Sequence, residues 1–157
     1  MDILRGLRSH SGHLCTMAGF AGYVAGWTVL QRRIGRPRPA SPGPWELSLI
    51  ATATFRASRL ISKGTVTRPV RAPFTHVDGA GGPAELNETP REEVGRRTVG
   101  ELISCPFCLS VWVVATFIGA RAIWPEGTRM VTAALTALTL SDALQWGHSA
   151  LVAHADH

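Results

Sequence analysis

Long stretches of this chain carry no Asp, Glu, Lys or Arg at all: residues 9–31, 102–120 and 130–141. Charged and polar positions gather instead at 31–44 and 62–101. At 1.5 Å of rise per helical residue, about 20 apolar residues cross a ~30 Å hydrocarbon layer. Apolar blocks near that length, separated by charged loops, are how a small polytopic membrane protein distributes its charge.

Four such blocks are expected to be helical. The first, residues 14–31, is barely long enough to cross. Its Ala18, Gly22 and Gly26 recur every four residues, a small-residue stripe that would let another helix approach. A helix lying on the surface is the competing reading. Residues 32–44 hold four arginines and four prolines and cannot continue it. The second block runs from Trp45 to about Ser62, with Arg56 and Arg59 on one face. Arg59 can snorkel outward, whereas Arg56 sits deeper and wants a partner. Residues 63–89 read as irregular, with at most a short hairpin around Gly79–Gly82. Thr89, Pro90 and Glu92 then spell an N-cap, a first-turn proline and a reciprocal acceptor. They predict an amphipathic helix over 90–103 along the membrane surface, with Glu92–Arg96 and Glu93–Arg97 as i,i+4 pairs. The third block, 105–124, is the best span. Trp124-Pro125-Glu126-Gly127 turns the chain into a fourth, 129–152, that runs back antiparallel.

The fold class expected is therefore all-α: a small membrane helix bundle of three to four transmembrane helices plus one amphipathic surface helix. Its parts are an N-terminal extension (1–44, one span and the linker), a membrane core (45–152) and a tail (153–157). With the amino terminus inside, the inner side holds eight cations: Arg5, Arg8, Lys63, Arg68, Arg71, Arg91, Arg96 and Arg97. The outer side holds six: Arg32, Arg33, Arg36, Arg38, Arg121 and Arg129. The positive-inside rule favours this orientation only slightly, and the arginine-rich linker argues against it.

Composition agrees with the pattern. Charged residues are 17% of the 157, below the ~25% of soluble domains. The net charge of +5 does not point to nucleic acid, because the arginines flank apolar blocks and form no basic face with interleaved aromatics. Three cysteines are too few for a disulfide scaffold. Gln31-Arg32-Arg33 stands where a signal peptide would need small residues, so an uncleaved first span fits better.

Two constellations can carry chemistry. Cys105-Pro106-Phe107-Cys108 puts two thiols at the amino end of the third block, since Pro106 should break the chain near Ser104 and open a new helix. Thiolate is stabilised in that position. A redox pair is one reading, but Cys15 is the remaining cysteine and an electron relay looks incomplete. A metal site is another: the two cysteines with His76, or two copies in a dimer, would have to reach four ligands. Small, soft side chains packing at a helix junction are the plain reading, and the preferred one. The second constellation is Arg56 with Asp142. Counted from one membrane face both lie roughly 17 Å deep, where a lone charge costs several kcal/mol. They should pair, either to specify the fold or to line a proton or substrate path. His148 and His154 read as interfacial. No phosphate loop, hydrolase triad or catalytic carboxylate pair is recognisable, and no cofactor is called for.

The stretches RLISKGTVTRPVRAPF, GELISCPFCLSVWV and SDALQW resemble the domain-of-unknown-function 1360 family of small bacterial integral membrane proteins. The resemblance covers roughly residues 46–147. It implies a multi-pass protein of the bacterial inner membrane and no particular activity. The lipid bilayer is the expected partner, and a second copy or another membrane protein is the protein partner class left open. A structural or interaction role follows, with thiol redox or metal binding through Cys105 and Cys108 as the alternatives.

Overall fold

The computed structural model describes residues 2–35, 37, 39–93 and 95–155, with side chains from Leu14 onward. The Arg5 and Arg8 side chains, Arg36, Arg38 and the last two tail residues, all used in the sequence reading, lie outside that description.

The described chain is mostly helical. Four long helices match the four blocks: α1 (Asp2–Ile34), α2 (Pro44–Lys63), α5 (Pro106–Ile123) and α6 (Pro125–Ala155). Between α2 and α5 lie a short helix α3 (Arg68–Arg71), strands β1 (Thr75–Ala80) and β2 (Leu86–Pro90), and helix α4 (Arg96–Ser104). α1 begins well before residue 14, because nothing upstream breaks it. Pro44 opens α2 in the first-turn position that suits proline. At the other end, Trp124 leaves helical geometry and Pro125 starts α6. Gly127 is bare there because a Cβ would collide with the Trp124 indole.

α2 is the centre of the bundle. Its Ile50 and Ala53 meet Val113 and Phe117 of α5, with Ala57, Ile61, Leu109 and Leu135 packed around them. α6 lies along α2 in the same direction: Thr136 Oγ1 donates to the Leu49 carbonyl at 3.2 Å, and Arg56 is ion-paired with Asp142 one to two turns on. α5 runs opposite to both, so its last turn meets the first turn of α2. There Arg121 Nε and Nη2 grip the Glu46 carboxylate at 2.5 and 2.9 Å. α1 runs parallel to α5. Phe20 and Tyr23 pack on Trp112, the Tyr23 and Thr116 hydroxyls hydrogen-bond at 2.8 Å, and Gly119 leaves room for Trp27. The long helices thus alternate in direction along the chain.

Several expectations need correction. The stripe Ala18, Gly22 and Gly26 does not carry the α1 contact. All three are exposed, and a Cβ on Gly22 or Gly26 would meet nothing within 4 Å. The aromatic face of α1 makes the contact instead, since indole and phenol rings bury far more area than glycines. The helix expected over 90–103 begins at Arg96, after Gly95 at φ 85°. Thr89 does not cap it. It pairs across the hairpin with His76, and its hydroxyl donates to Asp78 at 3.1 Å. Residues 86–90 are drawn into the ladder with β1, whose backbone bonds replace those of a first helical turn. The expected i,i+4 pairs accordingly give way to an i,i+3 pair, Glu93–Arg96 at 2.8 Å, and a different i,i+4 pair, Arg97–Glu101 at 2.9 Å.

The span count is also coarser than expected. Among the described residues, one helix, Pro106–Ile123, is long and apolar enough to cross a membrane by length and composition.

Candidate functional site

The residues with chemistry collect at the end of the bundle where α2 finishes and α5 begins. α4 stops at Ser104, Cys105 takes an extended conformation (φ −100°, ψ 109°), and α5 starts at Pro106. Cys105 is the N-cap of α5. The Cys108 N–H donates to its Sγ at 3.3 Å, which is the bond that a serine or aspartate cap would accept. Burial raises the Cys105 thiol pKa, but hydrogen bonds from the Cys108 side chain and from the Cys108 and Phe107 N–H groups outweigh it, with Lys63 adding to them. The net result holds Cys105 below the ordinary thiol range. Cys15, Cys105 and Cys108 are all free thiols.

The register of α1 on α5 bears on the third cysteine. Tyr23 stands opposite Thr116, and eight residues back along both parallel helices Cys15 comes level with Cys108. His76 is not brought to the thiols. It lines a cavity beside the hairpin. Among the described residues, no three His, Cys, Asp or Glu side chains are grouped as a metal would need.

Arg56 and Asp142 form a salt bridge between α2 and α6, both side chains half-buried. Arg56 Nε is buried without a hydrogen-bond partner among the described residues, and the bridge to Asp142 is made through Nη1. Arg59, expected to snorkel, instead makes a two-pronged bond to Glu85 in the hairpin turn at 2.9 and 2.5 Å.

The largest fully buried side chain among the described residues is Arg71, which the sequence places only among the inner-side cations and at the head of the RAPF stretch. Arg71 is 0% exposed. Its Nε and Nη2 reach the two oxygens of Glu88 at 3.0 and 2.8 Å. Its Nη1 donates to the Ile61 carbonyl and to Thr67 Oγ1, both at 2.6 Å, and Nη2 also reaches the Gly64 carbonyl at 3.0 Å. Thr75 donates to Glu88 at 2.6 Å. This arginine satisfies the open C-terminal carbonyls of α2 and ties them to β2. Burial raises the Glu88 pKa, but Arg71, Thr75 and the nearby Arg68 more than offset it and hold the carboxyl below its usual value. Gly100 completes the junction. A Cβ there would lie 2.6 Å from the Phe74 carbonyl, so only glycine lets α4 sit on the hairpin.

A family model described as Protein of unknown function (DUF1360) matches residues 49–148. The chain belongs to this family. The DUF1360 region runs from the second turn of α2 into α6 and contains the thiol pair, the Arg56–Asp142 bridge and the Arg71–Glu88 cluster. α1 and the arginine-rich linker fall outside it. Sporulation protein YjcA of Bacillus subtilis (strain 168) is 27% identical over 100 residues, 62% of this chain and 85% of the relative. No solved structure matches.

Within the DUF1360 core, the RAPF stretch is legible once Arg71 is placed. The arginine plugs the end of α2, and Phe74 supplies the carbonyl that accepts the Arg91 N–H at 2.9 Å. The glycine of GEL is Gly100. Each motif closes the same junction.

Proposed function

We propose that this DUF1360 protein is a multi-pass bacterial membrane protein of structural or interaction type, with α1, α2, α5 and α6 as its spans. One observation carries the reading. α5 is long and apolar enough to cross a membrane, with Arg121 in its last turn as its one charge, yet only 11% of its span window is buried within the chain. A helix of that composition in a water-soluble domain would occupy the core. The polarity of the other helices supports this inside-out arrangement. Glu46 and Arg56 of α2 turn toward Arg121 and Asp142 on neighbouring helices. Phe55, Val114, Ile118, Leu138 and Leu140 are exposed. Charges held between helices and apolar side chains facing outward suit a bilayer.

Alkaline carbonate washing of membranes from cells expressing the full chain tests this. Retention in the pellet, with release only by detergent, is expected. Release into the supernatant would contradict it. The sporulation name of the Bacillus relative identifies a process in which to seek a phenotype, and complementation of a strain lacking that relative measures functional equivalence.

The cap on Cys105 favours a second reading, a membrane thiol–disulfide protein. In it Cys105 and Cys108 lose two protons and two electrons to an acceptor of the quinone or disulfide class. The Cys15 thiolate, level with Cys108, then attacks Cys108 Sγ, forming a Cys15–Cys108 disulfide as the Cys105–Cys108 bond breaks and Cys105 leaves as thiolate. Gel-shift alkylation in cells decides it. A fraction of Cys105–Cys108 that oxidises and recovers supports the reading. Thiols that stay reduced under oxidant rule it out.

A further inference from the structure

The hairpin holds a cavity of about 120 Å³ between α3, β1 and the residue following β2. That is far above the roughly 10–15 Å³ that admits one water. Arg68, His76 and Arg91 line it together with Thr75 and Glu88. Glu88 is the one acid in the lining, and both its oxygens are engaged by Arg71 and Thr75. The Arg71–Glu88 pair is neutral as a unit. Arg68 has no ion-pair or hydrogen-bond partner for its side chain among the described residues. Arg91 has one weak bond, from Nη2 to the Ala72 carbonyl at 3.3 Å, and its Nε is buried with no acceptor. Asp78, the nearest acid along β1, is outside the lining and bonds Thr89. Two guanidinium groups with no ion pair of their own among the described residues and an imidazole therefore line one small cavity, whose one carboxylate is already held by Arg71 and Thr75.

We propose that this cavity is a phosphate-binding site, taking the tetrahedral oxyanion of a phosphate mono- or diester between Arg68 and Arg91. Guanidinium groups match phosphate oxygens in charge and in forked geometry. An oxygen entering the cavity can accept from the terminal nitrogens of Arg91, whose one bond among the described residues is the 3.3 Å contact of Nη2 with the Ala72 carbonyl. The His76 ring adds a third donor at the rim. The source is either a lipid headgroup or a soluble phosphate, because the site recognises the shared oxyanion. The proposal does not depend on how the long helices sit in a membrane, since the cavity belongs to the hairpin.

The test uses the full chain in a neutral detergent without phosphate. Thermal unfolding is followed against inorganic phosphate in one arm, and against short-chain phosphatidylglycerol with phosphatidylcholine as control in the other. Arg68→Gln and Arg91→Gln are compared with Arg96→Gln, a change at an exposed arginine away from the cavity. Saturable stabilisation is expected, with the apparent affinity falling at least tenfold in the first two variants and unchanged in the third. Saturation by inorganic phosphate assigns a soluble source, and saturation by phosphatidylglycerol alone assigns a headgroup. Should Arg91→Gln fail to fold, the side-chain NMR signals of His76 in the native chain serve instead, and they should shift on titration while those of His148 do not. No saturation in either arm, equal retention by all variants, or a His76 signal that does not move overturns the proposal.

Discussion

Arg71 and Glu88 form a completely buried ion pair, 0% and 1% exposed, that joins the end of α2 to the second strand of the hairpin. Every nitrogen of the guanidinium has an acceptor, so the pair is a closed unit that neither solvent nor a ligand needs to complete. Removing one partner leaves the other buried and unpaired, at about 3–5 kcal/mol. Arg71→Ala should therefore release the hairpin from α2. Hydrogen exchange over residues 75–90 should accelerate while the α2–α5 core keeps its protection. Uniform protection in the variant would show that the pair does not hold the junction.

The same pair sets an acid limit. The Glu88 pKa in the folded chain lies below its unfolded value near 4.3. Its contribution is thus complete above about pH 4.3 and is lost as pH falls through the lower folded value. Hairpin protection, corrected for intrinsic exchange rates, should be flat above pH 5 and should fall on further acidification. In Glu88→Gln that dependence should vanish.

Arg56 and Asp142 are half-buried, so their pair should be worth less than Arg71–Glu88 and more than a surface pair. A loss of about 1–3 kcal/mol is expected for Asp142→Asn, between the ~0–1 of exposed pairs and the ~3–5 of buried ones. Thermal unfolding in detergent measures it. The double variant Arg56→Gln with Asp142→Asn should lose less than the two single losses combined, because neither charge is then stranded. Strict additivity would mean that the contact contributes nothing.

Trp27 occupies the space that a side chain on Gly119 would take. Gly119→Leu should push α1 from α5, at a cost of about 1–3 kcal/mol. Cysteines at Tyr23 and Thr116, whose native hydroxyls are 2.8 Å apart, should cross-link in an otherwise cysteine-free chain and fail to do so once Gly119→Leu is added. Cross-linking that survives would place α1 elsewhere.

The long helices and the break at Pro106 could be read from the sequence because charge-free blocks and prolines act locally. The Arg56–Asp142 contact was suggested by counting residues inward from one end of the second and fourth blocks. Arg71 was not legible. Its partners are the α2 carbonyls and a glutamate 17 positions on, and no local pattern joins them. The Thr89–Pro90–Glu92 cap signal is real as a pattern, but Arg71 holds Glu88 inward and residues 86–90 pair with β1 instead. The small-residue stripe on α1 failed for a related reason. Spacing shows where a helix is able to approach, whereas the rings of Phe20, Tyr23 and Trp27 decide where it packs.

In the proposed membrane protein, the outward faces of α5 and α6 are apolar because they meet lipid. Spin labels at Val114, Ile118, Leu138 and Leu140, all exposed positions, test it most directly in the reconstituted full chain. Collision with oxygen should exceed collision with a water-soluble nickel chelate at all four, and the excess should be greatest toward the middle of each helix. Greater access to the nickel chelate at these sites would mean that the faces are in water, and the membrane reading would fall.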